Sequence, residues 1–263
     1  MQGTVQNYAC VMRNLLLVVM LATAACRTAA VAPATTPLER AIVTREHVEA
    51  AVATERLLST SYETFPAEGE AWFVVKRGRI PVLVVAGHAT AQTREGSLKT
   101  ADRGTGSLAV ALHEMTGATA IYTTRRSPSD PNYYDDNEFK RTLGELVREI
   151  RPRIVLDLHA SHAYRPYDVD FGTMGGRSLG NRPDLLESLI GAIRAEGMLN
   201  LSQDYFAASR NPTVTKFVSS MGVPAIQLEI TATRLDPSRD PLTAHRFAQL
   251  LQALVRFISG LAA

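Results

Sequence analysis

A single-domain α/β fold, with a central mostly parallel or mixed sheet flanked by helices, is predicted by two features of the sequence. Short β-branched runs alternate with amphipathic helical stretches, the pattern of a sheet covered by helices. Three of the runs also carry chemically able residues at or just beyond their ends, His88, His159 and Glu229. In open α/β sheets ligand sites form beyond the C-terminal ends of the strands.

The elements follow in order. Residues 38–58 are rich in helix formers, contain no Gly or Pro and predict an opening helix. Phe73-Val74-Val75 and Val82-Leu83-Val84-Val85 read as strands, and Lys76-Arg77-Gly78-Arg79 reads as a turn pairing them. The second strand runs out at Ala86-Gly87-His88. A helix over 107–115 closes at Gly117, a strand covers 119–122, and an amphipathic helix covers 138–150. A buried strand over 154–158 ends at His159; a helix over 183–196, a strand over 225–230 and a helix over 242–258 complete the body. No internal repeat is visible.

Of the 263 residues, 46% are hydrophobic and 21% charged, which excludes a disordered tail, a collagen-like repeat and a multi-span membrane protein. The 28 Lys and Arg against 26 Asp and Glu leave no basic excess for a nucleic-acid partner.

At the N-terminus, Arg13 precedes the apolar run Leu15 to Leu21, then Ala22-Thr23-Ala24-Ala25 and Cys26. A charged start, a short apolar stretch and a small-residue cleavage site make a secretory signal, too short to span a bilayer. The organisation expected is a signal peptide over 1–25, a Pro/Ala/Thr tether over 26–37 and a catalytic domain over 38–263. Cys26 resembles the lipidated cysteine of the bacterial lipoprotein lipobox, with Thr23 departing from the usual aliphatic residue. Cleavage removes Cys10 and leaves Cys26 alone, so no disulfide forms within the mature chain. The protein is expected outside the cytoplasmic membrane, on the periplasmic or extracellular face, held by an N-terminal lipid anchor. Met12-Arg13-Asn14 is itself a compact signal-peptide start.

Neutral imidazole is a good zinc ligand, and catalytic zinc commonly takes two His and a carboxylate, keeping one position open. His88 and His159 are the natural pair, with His162 as an alternative. Asp157, two residues before His159 on the same face of its strand, is placed to accept from that imidazole. His47, His113 and His245 lie in helical stretches and read as surface or packing residues. For the carboxylate, Glu95 and Asp102 share the Gly-rich loop 87–106, and Asp102 could instead be a helix-start residue. In Ile226-Gln227-Leu228-Glu229-Ile230, alternation puts Glu229 opposite the apolar face. A carboxylate in such a strand is costly unless solvated, paired or functional, and a general base for a metal-activated water is the functional reading. The competing one is an edge-strand residue facing solvent.

Gly176-Arg177-Ser178-Leu179-Gly180 matches a nucleophile elbow, followed by Asp236 and His245 in the order used by serine hydrolases. Its context is poor, because the motif follows loop sequence and Pro183 delays the next helix.

Together these segments resemble the N-formylglutamate amidohydrolase family, relatives of zinc carboxypeptidases and aspartoacylases, over residues 82–237. The resemblance rests on six pieces in order: Gly87-His88-Ala89-Thr90, Asp102-Arg103-Gly104-Thr105, Asp130-Pro131-Asn132, Asp157-Leu158-His159-Ala160-Ser161, Asp170-Phe171-Gly172-Thr173 and Gln227-Leu228-Glu229-Ile230. It implies one zinc per chain held by His88, Asp102 and His159, with Glu229 activating the water. The family's Asn-Arg pair is here Asn132-Tyr133, so an arginine that would hold a substrate carboxylate is missing from its place. Asn132 and Arg94, Arg125 or Arg234 are candidates for substrate binding, and Arg126 is the first choice for a catalytic arginine. The expected activity is zinc-dependent cleavage of a linear amide in a small acidic N-acyl amino acid or peptide-like substrate, or a carboxypeptidase-like variant. The alternatives are a non-catalytic ligand- or metal-binding lipoprotein of the same fold and a serine hydrolase using Ser178.

Overall fold

The structure is a computed structural model that describes residues 41–262; the signal segment, most of the tether's surroundings and Cys26 lie outside the described residues. In chain order the elements are α1 (Arg45–Ser59), β1 (Phe73–Lys76), β2 (Ile80–Ala86), β3 (Gln92–Arg94), β4 (Ser97–Lys99), α2 (Thr105–Thr116), β5 (Ala118–Thr123), α3 (Glu138–Ile150), β6 (Ile154–Ser161), β7 (Val169–Gly172), α4 (Pro183–Ala195), β8 (Leu201–Gln203), α5 (Val214–Ser220), β9 (Ala225–Thr231) and α6 (Pro241–Ala262). Seven strands form one mixed sheet in the order β1-β5-β2-β6-β9-β7-β8, and β3-β4 form a separate hairpin. The expected α/β architecture is therefore present. The parallel centre is β5, β2, β6 and β9, with β1 antiparallel to β5 and β7 antiparallel to β9.

The crossover from β2 through α2 to β5 runs one way, and that from β5 through α3 to β6 runs back past β2. The two helices consequently pack on opposite faces. Leu108 and Leu112 of α2 join Val82, Val84, Leu156 and Leu158 on one face, while Phe139 and Leu143 of α3 join Leu83, Val85 and Val155 on the other. Reversal of direction between neighbouring strands opens a crevice at their C-terminal ends. That crevice lies between β2 and β6, the strands that lead into His88 and carry His159.

Three expectations need correction. β1 and β2 do not pair as a hairpin, because β5 lies between them. The chain leaving β1 crosses the start of β5, where Arg79 N–H donates to the Gly117 carbonyl at 2.8 Å. Gly78 fits only as glycine there, since a Cβ would lie 2.1 Å from that same oxygen. The opening helix starts at Arg45, later than read, because Thr44 is extended and its N–H is taken by His47 Nδ1 at 3.0 Å. Short β3, β4, β7, β8 and α5 were not anticipated; strands of three or four residues carry too few alternations to stand out.

Glu55 ties α1 to the turn before α2. Its side chain is 2% exposed, accepts from Tyr62 Oη and takes Gly104 N–H at 2.9 Å. Burial pushes its carboxyl up to about 7 from 4.5, against the opposing hydrogen bonds of Ser107 and Gly104. The folded state thus keeps a proton that the unfolded chain releases. This contribution is complete below pH 4.5 and is lost as pH rises through about 7. We expect Glu55 to contribute about 3 kcal/mol of acid-side stability. Urea unfolding from about pH 4.5 to about pH 8 should show a fall in stability that Glu55→Gln flattens; the same slope in both proteins contradicts this assignment.

Candidate metal centre

Side chains on the α3 face of the sheet change character along the central strands. β6 runs Val155, Asp157, His159 and β9 runs Ala225, Gln227, Glu229, from apolar at the base to polar at the C-terminal end. Pairing of β6 with β9 sets His159 opposite Glu229 and Asp157 opposite Gln227. β9 is an interior strand, so Glu229 is no edge residue facing solvent.

His88 lies two residues beyond β2, and its carbonyl accepts the Asp102 N–H at 2.8 Å. The turn that follows depends on Gly104, the residue before α2, which has φ of 87° and a Cβ position only 2.3 Å from the Leu235 carbonyl oxygen. A side chain there is both strained and excluded. With the cap taken by Gly104, the Asp102 carboxylate is free to face the histidines, and only its backbone carbonyl serves the helix start, accepting from Thr105.

Asp102 Oδ2 lies 3.0 Å from His159 Nδ1 and 3.5 Å from His88 Nδ1. One ligand atom from each of His88, Asp102 and His159 falls within 4.8 Å of the others. The remaining ring nitrogens are also held. His88 Nε2 meets Asp130 Oδ1 at 2.8 Å, and His159 Nε2 meets Asp157 Oδ1 at 3.1 Å and Asn132 Nδ2 at 2.7 Å. Asp157 is fixed in turn by Thr215, whose hydroxyl donates at 3.1 Å. Two imidazole nitrogens and one carboxylate oxygen converge, each imidazole backed by a buried carboxylate, a donor set that fits zinc.

Burial works against charge on both imidazoles, but the carboxylates outweigh it. Asp130 and Asp102 hold His88 up to about 9, and Asp157 with Asp102 holds His159 well above the ordinary histidine range. Conversely, burial opposes ionisation of Asp102 and Asp130, yet the neighbouring imidazoles keep both below the usual carboxylate range. Glu229 behaves differently: burial raises its carboxyl and the facing imidazoles only partly offset this. Ser161 Oγ donates to its Oε2 at 2.7 Å and Gln227 Nε2 to its Oε1 at 3.1 Å.

The other sequence candidates separate clearly. Glu95 sits at the β3-β4 turn, bound by Tyr133 Oη, and is not among the converging ligands. His162 is exposed and stacks on Tyr164. Arg94 reaches the site, pairing with Asp130 at 2.6 Å. Asn132 is there too, but its amide is engaged between His159 and Val214 N–H. The structure does not bring the remaining arginines to the metal ligands. Arg126 covers Phe65 and donates to Thr93, Arg125 pairs with Glu70, and Arg234 pairs with Asp168. The backbone N–H of Arg126 donates to the Thr64 carbonyl at 2.9 Å. Ser178 donates to the Ala225 carbonyl at the opposite end of β9 and is 1% exposed, with neither Asp236 nor His245 as a partner among its described hydrogen bonds. Asp130, in the sequence only part of the Asp130-Pro131-Asn132 piece, holds the His88 ring, a contact that no local pattern marks.

Two adjoining cavities of about 800 and 710 Å³ meet at this centre, sharing Thr100, Asp102, Ala160, Phe206 and Glu229. His88 and His159 line the second.

Asp130→Ala should lower zinc affinity about tenfold to hundredfold by freeing the His88 ring, and His159→Ala should remove stoichiometric zinc altogether. Calorimetric zinc titration of the three proteins checks both; wild-type affinity in His159→Ala contradicts the ligand set, and wild-type affinity in Asp130→Ala contradicts the support given to His88.

No protein-family model matches the sequence and no curated protein is significantly similar to it. Among solved structures, the chain is similar to an N-formylglutamate amidohydrolase from Ralstonia eutropha, with 16% identity, a TM-score of 0.53 and coverage of 73% of this chain and 98% of that one. A bacteriophage poly-gamma-glutamate hydrolase gives 16% identity and a TM-score of 0.48 over 72% of this chain and 86% of that one. A metallo-carboxypeptidase from Pseudomonas aeruginosa gives 14% and 0.48 over 83% and 69%. The chain is thus built on the fold of the Ralstonia N-formylglutamate amidohydrolase, as the ordered sequence pieces had suggested.

Proposed function

We propose that the protein is a zinc-dependent amidohydrolase that cleaves a linear amide bond in an acidic, peptide-like substrate. One observation carries this reading: His88, Asp102 and His159 converge their ligand atoms within 4.8 Å, with Glu229 opposite His159 on the next strand. The shared fold with an N-formylglutamate amidohydrolase supports the reaction class. With the N-terminal segment read as an export signal, the reaction takes place outside the cytoplasmic membrane.

Zinc held by His88, Asp102 and His159 supplies Lewis-acid polarisation of the amide carbonyl and makes water more acidic. The chain's own residues do the rest. Glu229, raised above the ordinary carboxylate range by burial, accepts the proton of the attacking water and returns it to the leaving amine. Its Oε1, held only by the longer bond from Gln227, is the oxygen freer to take that proton. Arg94 replaces Arg126 as the arginine beside the centre, its guanidinium anchored on Asp130 and lying over the Tyr133 ring. With Nε and one terminal nitrogen on Asp130, its other terminal nitrogen is the donor left for a carboxylate or a developing oxyanion.

Glu229→Gln should keep zinc but lose about 10²–10⁴ in kcat on N-acyl amino acid or peptide-like amides. Steady-state assays with elemental analysis of the same samples decide it. Full turnover in the variant, or activity that survives exhaustive chelation, contradicts the proposed function.

A further inference from the structure

The two cavities that meet at Asp102 and Glu229 are similarly charged. Arg94, Lys99 and Arg210 line one lobe, and Arg103, Arg165 and Arg239 line the other. Arg94 is already committed to Asp130, and Arg165 is packed on Phe206 with one N–H given to Tyr205. Lys99, Arg103, Arg210 and Arg239 are exposed and form no ion pair among the described residues, and Arg103 lies over the Tyr62 ring. Apart from the shared Asp102 and Glu229, Asp236 is the acid among the lining residues, and it is occupied by Ser238. One lobe therefore offers Lys99 and Arg210, and the other Arg239 with Arg103 stacked on Tyr62, all outside any ion pair among the described residues, with Asp102 and Glu229 at the waist between them.

A single N-acyl amino acid does not use this arrangement. Each lobe alone, at about 800 and 710 Å³, is already large enough for a whole small ligand. Cations on one side would grip the carboxylate of a one-unit substrate and leave those on the other side unused. Cations on both sides attract and orient a chain that is anionic on both flanks of the scissile bond.

We propose that the substrate is an acidic oligomer of amide-linked, carboxylate-bearing units, bound through both lobes and cut at an internal amide lying across Asp102 and Glu229. In that step water adds across the amide, the C–N bond breaks, and one half leaves with a new carboxylate and the other with an amine that takes up the proton. This deepens the amide-hydrolase reading and rests on it.

The test uses the zinc-loaded full chain and three kinds of substrate: glutamate oligomers, α- and γ-linked, blocked at both ends; glutamine oligomers of the same length, equally blocked; and N-formyl-L-glutamate. Products are identified by mass spectrometry. The expected result is internal cleavage of a blocked glutamate oligomer with kcat/KM at least about tenfold above the other two kinds, falling with added salt. Arg210→Glu and Arg239→Glu, one from each lobe, should each lower that value by about tenfold or more. Cleavage of N-formyl-L-glutamate with all blocked oligomers left intact overturns the inference and leaves the amide-hydrolase reading standing. Equal cleavage of acidic and neutral oligomers, or an effect of charge reversal in one lobe only, also overturns it. No hydrolysis of any substrate overturns the amide-hydrolase reading and the inference with it.

Discussion

The carboxylate of Asp102, wedged between two buried imidazoles, is the contact on which the site depends. Asp130 and Asp157, both fully buried, face the far nitrogens of the same rings. Three carboxylates collected around two histidines gather negative charge there, which Arg94, paired with Asp130, and buried Lys140, near Asp130 and Asp157, offset only in part. Buried charge on this scale requires compensation. The neighbouring carboxylates favour protons on His88 and His159, and hold both imidazoles above their ordinary range against the cost of burial. A divalent cation answers the same demand while leaving both rings neutral and oriented. The raised histidines and the fit of the three ligand atoms to a cation therefore have one electrostatic origin.

The fold exists to bring those groups together from distant parts of the chain. β2 and β6 are adjacent although α2, β5 and α3 separate them in sequence, and the reversal of crossover direction leaves the space beyond their ends open. Gly104 contributes from a different direction. Its left-handed conformation against Leu235 takes over the helix start, so that Asp102 faces the crevice and not its own helix. Glu55, bound to the Gly104 N–H from α1, braces the same turn.

Much of this was legible in the sequence because strand periodicity is local. Alternation in β9 placed Glu229 opposite Ile226, Leu228 and Ile230, and those three residues do lie in the core cluster on the other face. The end of a β-branched run located His88, and the spacing of Asp157 and His159 put them on one face. What periodicity could not reach were directions set by non-local contacts. Glu95 and Asp102 share one loop, and the choice between them was made by Gly104 meeting Leu235, more than a hundred residues away in the chain. The side chain of Arg126 lies over Phe65 and on Thr93, away from the residues lining the two cavities, and β1 does not pair with β2 because β5 takes the position between them. Asp130 stands in the sequence only as part of the Asp130-Pro131-Asn132 piece, and its hold on His88 follows from tertiary packing. The cationic lining of the two lobes comes from the β3-β4 hairpin and four separate loops and leaves no compact motif to read.

The measurement closest to the central claim is an X-ray absorption spectrum at the zinc edge of the zinc-loaded protein, compared with His159→Ala. The account predicts one zinc per chain with two imidazole nitrogens and a carboxylate oxygen at about 2.0–2.2 Å, and loss of one imidazole or of the metal in the variant. A spectrum with no imidazole ligation, or one that the substitution leaves unchanged, would contradict it.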